Sequence, residues 1–97
     1  MMLVVVSYDV STRTPEGKRR LRQVAKMCED YGQRVQCSVF ECWLDPSQLV
    51  VLKGDLLRIM DPSTDSLRIY YLGEQWHGRV EHHGSKAVLA PDGPLVL

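Results

Sequence analysis

No stretch of this 97-residue chain stays apolar for the roughly 18 residues that a bilayer-crossing helix needs. The opening run Met1-Met2-Leu3-Val4-Val5-Val6 has no basic flank and stops at Ser7. It reads as a buried strand rather than a signal peptide, so a cytoplasmic protein is expected. Net charge is missing too: 12 basic and 12 acidic residues cancel, so bulk charge does not mark a nucleic-acid binder. Cysteine is scarce. Cys28, Cys37 and Cys42 are odd in number and form no Cys-x-x-Cys pair. That fits reduced, buried thiols better than a disulfide framework. His77, His82 and His83 lack zinc-ligand spacing to any cysteine. There is no Gly-rich phosphate loop, nucleophile elbow or dinucleotide fingerprint, and no repeat at solenoid spacing.

What is present fits one small domain, which buries a modest core and gains from pairing with a second copy. Residues 2–10 read as a strand, with Leu3, Val5 and Ser7 on one face and Val4, Val6 and Tyr8 on the other. Both faces are largely apolar, so the strand is expected at the centre of a sheet. Thr14-Pro15 opens a helix whose stripe is Leu21, Val24, Ala25, Cys28 and Tyr31, with Gly32 expected as its left-handed cap. Residues 33–44 are too long for one strand and are read as two, 33–36 and 38–44, bending near Cys37. Asp45-Pro46-Ser47-Gln48 is a capping box opening a second helix, with Leu49, Leu52, Leu56, Ile59 and Met60 as its stripe and Asp61-Pro62 as its end. Residues 66–73 read as the next strand. Short edge strands are expected at Val80-Glu81-His82 and Ala87-Val88-Leu89, with a turn at Pro91-Asp92-Gly93-Pro94.

The order strand–helix–strand–strand–helix–strand predicts an α+β, ferredoxin-like βαββαβ sandwich with an extra C-terminal strand. Residues 1–73 form the core of this single domain. Residues 74–97 form a C-terminal extension expected to pack on a partner subunit, with Leu95-Val96-Leu97 tied down there. Both helices would lie on one face of the sheet. A homodimer through the sheet faces is the simplest cover for the other.

Asp9 is the foremost acid, because it ends a buried strand and opens the loop Ser11-Thr12-Arg13. It either caps that turn or binds a metal. One carboxylate makes a poor magnesium site, whereas two Asp9 side chains meeting at a two-fold axis, with phosphate oxygens, would suffice. Residues 11–27 hold Arg13, Lys18, Arg19, Arg20, Arg22 and Lys26 against Glu16 alone, a surplus of five in a chain that sums to zero. Such a cluster is either a solvated helix face or a grip on phosphates with salt-dependent affinity.

Three stretches together resemble one family: Val5-Val6-Ser7-Tyr8-Asp9-Val10, Tyr31-Gly32-Gln33-Arg34-Val35-Gln36-Cys37-Ser38-Val39-Phe40-Glu41-Cys42, and Asp65-Ser66-Leu67-Arg68-Ile69-Tyr70. The chain resembles, over residues 2–73, the CRISPR-associated adaptation protein of the second core type. The resemblance implies a ferredoxin-like homodimer that binds DNA and helps the CRISPR integrase, the first core Cas protein, acquire spacers. It also implies a metal-dependent endonuclease activity on RNA or DNA. In that activity Asp9 is the catalytic, metal-binding aspartate, magnesium or manganese is the ion, and Tyr8 positions the loop. Arg13, Lys18, Arg19, Arg22 and Lys26 are the candidate nucleic-acid contacts from the basic cluster, and Glu41 matches the motif without a catalytic role. Two alternatives stay open: a stand-alone VapD-type toxin ribonuclease, and a regulatory ferredoxin-like dimer that binds no nucleic acid.

Overall fold

Two prolines, each one residue past a capping side chain, start the two helices. The structure is a computed structural model. It describes residues 1–84 together with the backbone of Val88–Leu89 and Leu95–Val96. The elements run β1 (Met2–Asp9), α1 (Pro15–Glu29), β2 (Gly32–Gln36), β3 (Val39–Leu44), α2 (Pro46–Ile59), β4 (Ser66–Gly73), β5 (Val88–Leu89) and β6 (Leu95–Val96). Strands β1–β4 form one antiparallel sheet in the order β2-β3-β1-β4, which is the ferredoxin-like topology with β1 inside. Strands β5 and β6 pair with each other in a separate two-stranded ribbon.

At the start of α1 the Thr14 hydroxyl accepts the Gly17 N–H at 3.0 Å. At the start of α2 the Asp45 carboxylate accepts the Gln48 N–H at 2.8 Å, and the Gln48 side chain accepts the Asp45 N–H at 3.0 Å. Both arrangements satisfy donors that the first helical turn cannot pair internally. The helices lie on one face of the sheet. Val4, Val6 and Tyr8 of β1 and Phe40, Cys42 and Leu44 of β3 meet Leu21, Val24, Ala25 and Cys28 of α1 and Leu52 and Leu56 of α2. A fully buried leucine contributes about 1.5–3 kcal/mol. Leu52 and Leu56 therefore outweigh the roughly 1 kcal/mol that Gly54 costs inside α2.

Gly32 does not cap α1. The helix ends earlier, at Asp30 with φ −66°, and Gly32 is the first residue of β2. The glycine serves close approach instead: a Cβ there would lie 1.8 Å from the Glu41 carbonyl oxygen. The strand break near Cys37 is a tight turn through Cys37 and Ser38. The Ser38 carbonyl accepts the Tyr8 N–H at 2.9 Å, which docks this turn against β1. A register shift between Arg34 and Gln36 leaves Val35 as an extra residue in β2.

The opposite face is only half open. At one end Leu3, Trp43 and Trp76 form a second buried cluster, joined by Leu72 and Val80. The two indoles sit 5.8 Å apart at 59°. The chain segment after β4 thus covers part of a face for which the sequence suggested only a second copy. Residues 80–82 are not the expected edge strand, because side-chain packing of Val80 anchors this segment in place of a strand ladder. The expected strand at Ala87-Val88-Leu89 corresponds to β5 at Val88–Leu89. Ala87, the turn at Pro91-Asp92-Gly93-Pro94 and the terminal Leu97 lie outside the described residues.

The two glycines give opposite predictions, both read by urea unfolding. Gly32→Ala is expected to cost about 2 kcal/mol or more, because backbone must move to admit the methyl group. Gly54 is exposed with nothing within 4 Å of a built Cβ. Gly54→Ala is expected to gain about 0.5–1 kcal/mol. Equal effects would contradict the close approach at Gly32.

Candidate functional site

Asp9 is the last residue of β1, exposed, and paired across the ladder with Ser66 of β4. Strand alternation puts it on the half-open face with Val5 and Ser7, while Tyr8 points the other way, into the core. The loop that follows is held at several points. Val10 packs on the core. The Ser11 hydroxyl accepts the Arg13 N–H at 3.3 Å. The Ser11 carbonyl lies 1.9 Å from where a Cβ on Gly17 would be, so the helix and this loop touch at backbone distance.

Below Asp9 sits a buried acid. The Asp65 side chain is fully covered, and that of Arg20 is 20% exposed. Asp65 Oδ2 accepts from the Tyr8 hydroxyl, from Arg20 Nε at 2.7 Å and from the Asp61 N–H at 3.1 Å. Asp65 Oδ1 accepts from Arg20 Nη2 and Thr64 Oγ1, both at 3.1 Å. One carboxylate therefore joins β1, α1 and the turn entering β4. Burial opposes its charge, but the Arg20 fork, the Tyr8 hydroxyl and the other donors prevail and hold it well below the ordinary carboxylate range. Burial, followed by the hydrogen bond to Asp65, pushes the Tyr8 phenol up to about 12.

The cations of residues 11–27 divide in two. Arg20 turns inward to Asp65. Arg13, Lys18, Arg19, Arg22 and Lys26 are exposed, Arg13 in the loop and the other four on α1. Lys18, Arg22 and Lys26 follow one another at steps of four and so form one row. Arg22 and Lys26 line an open groove of about 470 Å³ with Arg34, Ala25, Glu29 and Asp30. The Arg34 guanidinium lies over the Phe40 ring, 5.3 Å from its centre. Among the described residues no group of three His, Cys, Asp or Glu side chains is gathered to hold a metal ion. Asp9 offers one carboxylate per chain. No helix among the described residues is long and apolar enough to cross a membrane.

The family described as CRISPR associated protein Cas2 matches residues 2–80. This chain belongs to the Cas2 family. A Chlorobaculum tepidum member named CRISPR-associated endoribonuclease Cas2 is 59% identical over 96 residues, covering 99% of this chain and 100% of the relative. A Halalkalibacterium halodurans member named CRISPR-associated endonuclease Cas2 is 50% identical over 96 residues, with 99% and 100% covered. The crystal structure of Streptococcus pyogenes Cas2 is similar with a TM-score of 0.77 and 57% identity, covering 86% of this chain and all of that one. The crystal structure of a hypothetical protein from Thermus thermophilus matches with a TM-score of 0.63 and 31% identity, covering 99% of this chain and 95% of that one. Likeness to Cas2 proteins thus runs past Gly73, where the sequence resemblance stopped, into the tail.

Within this Cas2 fold the cysteines are not all buried. Cys28 and Cys42 are core residues, but Cys37 is exposed, because it occupies the β2–β3 turn. The Cys28 thiol is pushed up by its contact with Cys42 and by burial, which keeps it unreactive. His77 stacks on Trp76 at 3.9 Å, and His83 meets Glu81 at 3.1 Å. Sequence reasoning missed the Asp65–Arg20 pair. Arg20 was one basic residue among several, and its partner lies 45 residues away. An aspartate next to a strand start in the third motif stretch was the available signal.

Asp65→Asn is expected to cost about 3 kcal/mol, since it removes the charge from a fully covered acceptor and leaves Arg20 without its counter-charge. The pH dependence has a definite sign. The folded carboxyl titrates below its ordinary 3.8. Its contribution is therefore complete above that value and fades as pH falls below it. The Tyr8 contribution is complete below pH 10 and fades as pH climbs toward about 12. Urea midpoints across pH should show the acid limb flattened in Asp65→Asn and the alkaline limb flattened in Tyr8→Phe. Unchanged limbs would remove the network from the stability of the fold.

Proposed function

We propose that this chain is a homodimeric nucleic-acid-binding component of CRISPR spacer acquisition, working with the integrase, and that Asp9 gives it magnesium-dependent endonuclease activity. The observation that carries this reading is the half-open sheet face. Its Trp43–Trp76 end is closed by the chain's own tail segment, so the free half is the one that ends at Asp9. A second copy seated on that half has Val5, Val39 and the exposed Tyr70 for apolar contact. Asp9 and Glu41 there are matched by Arg68, whose Nη1 donates to the Tyr70 hydroxyl at 3.2 Å. A face carrying both signs suits a two-fold interface, in which the acids of one copy can meet the arginine of the other.

Pairing of this kind supplies what one chain lacks. Magnesium takes oxygen ligands, typically one or two carboxylates with phosphate oxygens and water. Asp9 fits that donor set, being an exposed carboxylate with room for water, and the Asp9 of a second copy would complete it. An ion held there would supply activation of water and offset charge on the phosphate. The exposed row Lys18, Arg22 and Lys26, with Arg13 and Arg19, would hold the phosphate backbone. Tyr8 faces the core and so acts on the loop rather than on substrate. The relatives named as an endoribonuclease and as an endonuclease favour cleavage alongside an adaptor role, and leave RNA and DNA both as substrates.

Native mass at micromolar concentration should give twice the 11.1 kDa chain mass. The dimer should co-purify with the integrase, and a lone subunit would overturn the reading. RNA or duplex DNA should be cut with magnesium and left intact by Asp9→Asn. Equal cutting by that variant would assign the activity to a contaminant. Arg19→Ala and Arg22→Ala should each weaken DNA binding uniformly across sequences and lower the salt slope by about one. Binding that ignores salt would favour the regulatory dimer without nucleic acid.

A further inference from the structure

We propose that Arg20 and Asp65 are positioning residues for Asp9, a clamp that works through Tyr8 from the opposite side of the sheet. This rests on the metal-binding reading of Asp9. Asp9 is held between two neighbours that the clamp itself grips. Tyr8 precedes it in β1 and gives its hydroxyl to Asp65. Ser66, its partner across the ladder, directly follows Asp65 in the chain. Both sides of the Asp9–Ser66 pair are thus fastened to one carboxylate.

That carboxylate is fixed in turn. Arg20 forks onto both its oxygens at 2.7 and 3.1 Å. Such a two-point contact sets orientation as well as distance, which a lysine cannot reproduce. The Asp61 N–H and Thr64 hydroxyl hold the same group from the turn before β4. Arg20 also belongs to the helix whose Gly17 abuts the Ser11 carbonyl, so α1 fixes the loop after Asp9 as well as the strand before it. Asp9 is otherwise an exposed strand-end residue, a place where chains fray. A metal ligand needs its position fixed by the groups behind it, and removal of such supports typically costs 10–100-fold in affinity or activity.

The test uses the full chain, isotope-labelled and titrated with manganese alone, with amide broadening as the readout. In the wild type the amides of Asp9, Val10 and Ser66 should broaden first, and Asp9→Asn should abolish that selectivity. Tyr8→Phe and Arg20→Lys keep the local charge. Once their amide spectra confirm a native fold, each is expected to raise the manganese concentration for half-broadening roughly 10-fold. Each should also quicken amide exchange at Asp9 and Ser66 in metal-free protein. Leu52→Ala, a core truncation in α2, should lower stability and leave the manganese midpoint unchanged. Absence of selective broadening in the wild type would overturn the metal reading of Asp9, and this role with it. Selective broadening in the wild type with unchanged midpoints in Tyr8→Phe and Arg20→Lys would overturn the clamp alone.

Discussion

The ion pair between Arg20 and Asp65 is the constraint around which the Asp9 end of the molecule is arranged. A fully covered carboxylate carries a large desolvation cost. Asp65 meets it with donors from three parts of the chain: Tyr8 of β1, Arg20 of α1, and the turn at Asp61 and Thr64. Because every one of these donors must be in place, the groups that satisfy Asp65 also fix where β1, α1 and β4 meet. Hydrophobic contact in the main core is tolerant of small shifts, whereas a forked guanidinium is not. The polar network thus adds geometric definition to a core that already supplies burial.

The same pair changes how the basic segment is read. Counted along the sequence, residues 11–27 hold six cations against one acid. Arg20 is spent internally, and the exposed residues that remain are spread over the loop and α1. What faces solvent is a row with a spacing set by the helix, beside a groove that also contains Glu29 and Asp30. The positive field of this segment therefore comes from fewer charges than the sequence count suggests, and their arrangement matters more than their sum.

Local chemistry made much of the fold legible. Thr14-Pro15 and Asp45-Pro46-Ser47-Gln48 announce helix starts because capping uses only neighbours in sequence. The apolar run of β1 and the excessive length of residues 33–44 were equally local signals. Gly32 was misread because a glycine after a helical stripe serves either a left-handed turn or a close backbone approach, and only the position of Glu41 decides between them. Trp76 covering Leu3 and Trp43, and Arg20 meeting Asp65, are pairings between distant segments that no window of sequence contains. Asp9 was legible as an acid at a strand end, but the groups supporting it were not.

The β2–β3 turn has one more consequence. Cys28 and Cys42 are sealed in the core, while Cys37 stands exposed at the turn. Its neighbour Ser38 is hydrogen-bonded to the backbone of Tyr8. Electrophilic labels and mild oxidants will therefore meet a single addressable sulfur among the three, located at the end of the sheet where Asp9 lies. A fluorophore or spin label can be attached there without mutagenesis.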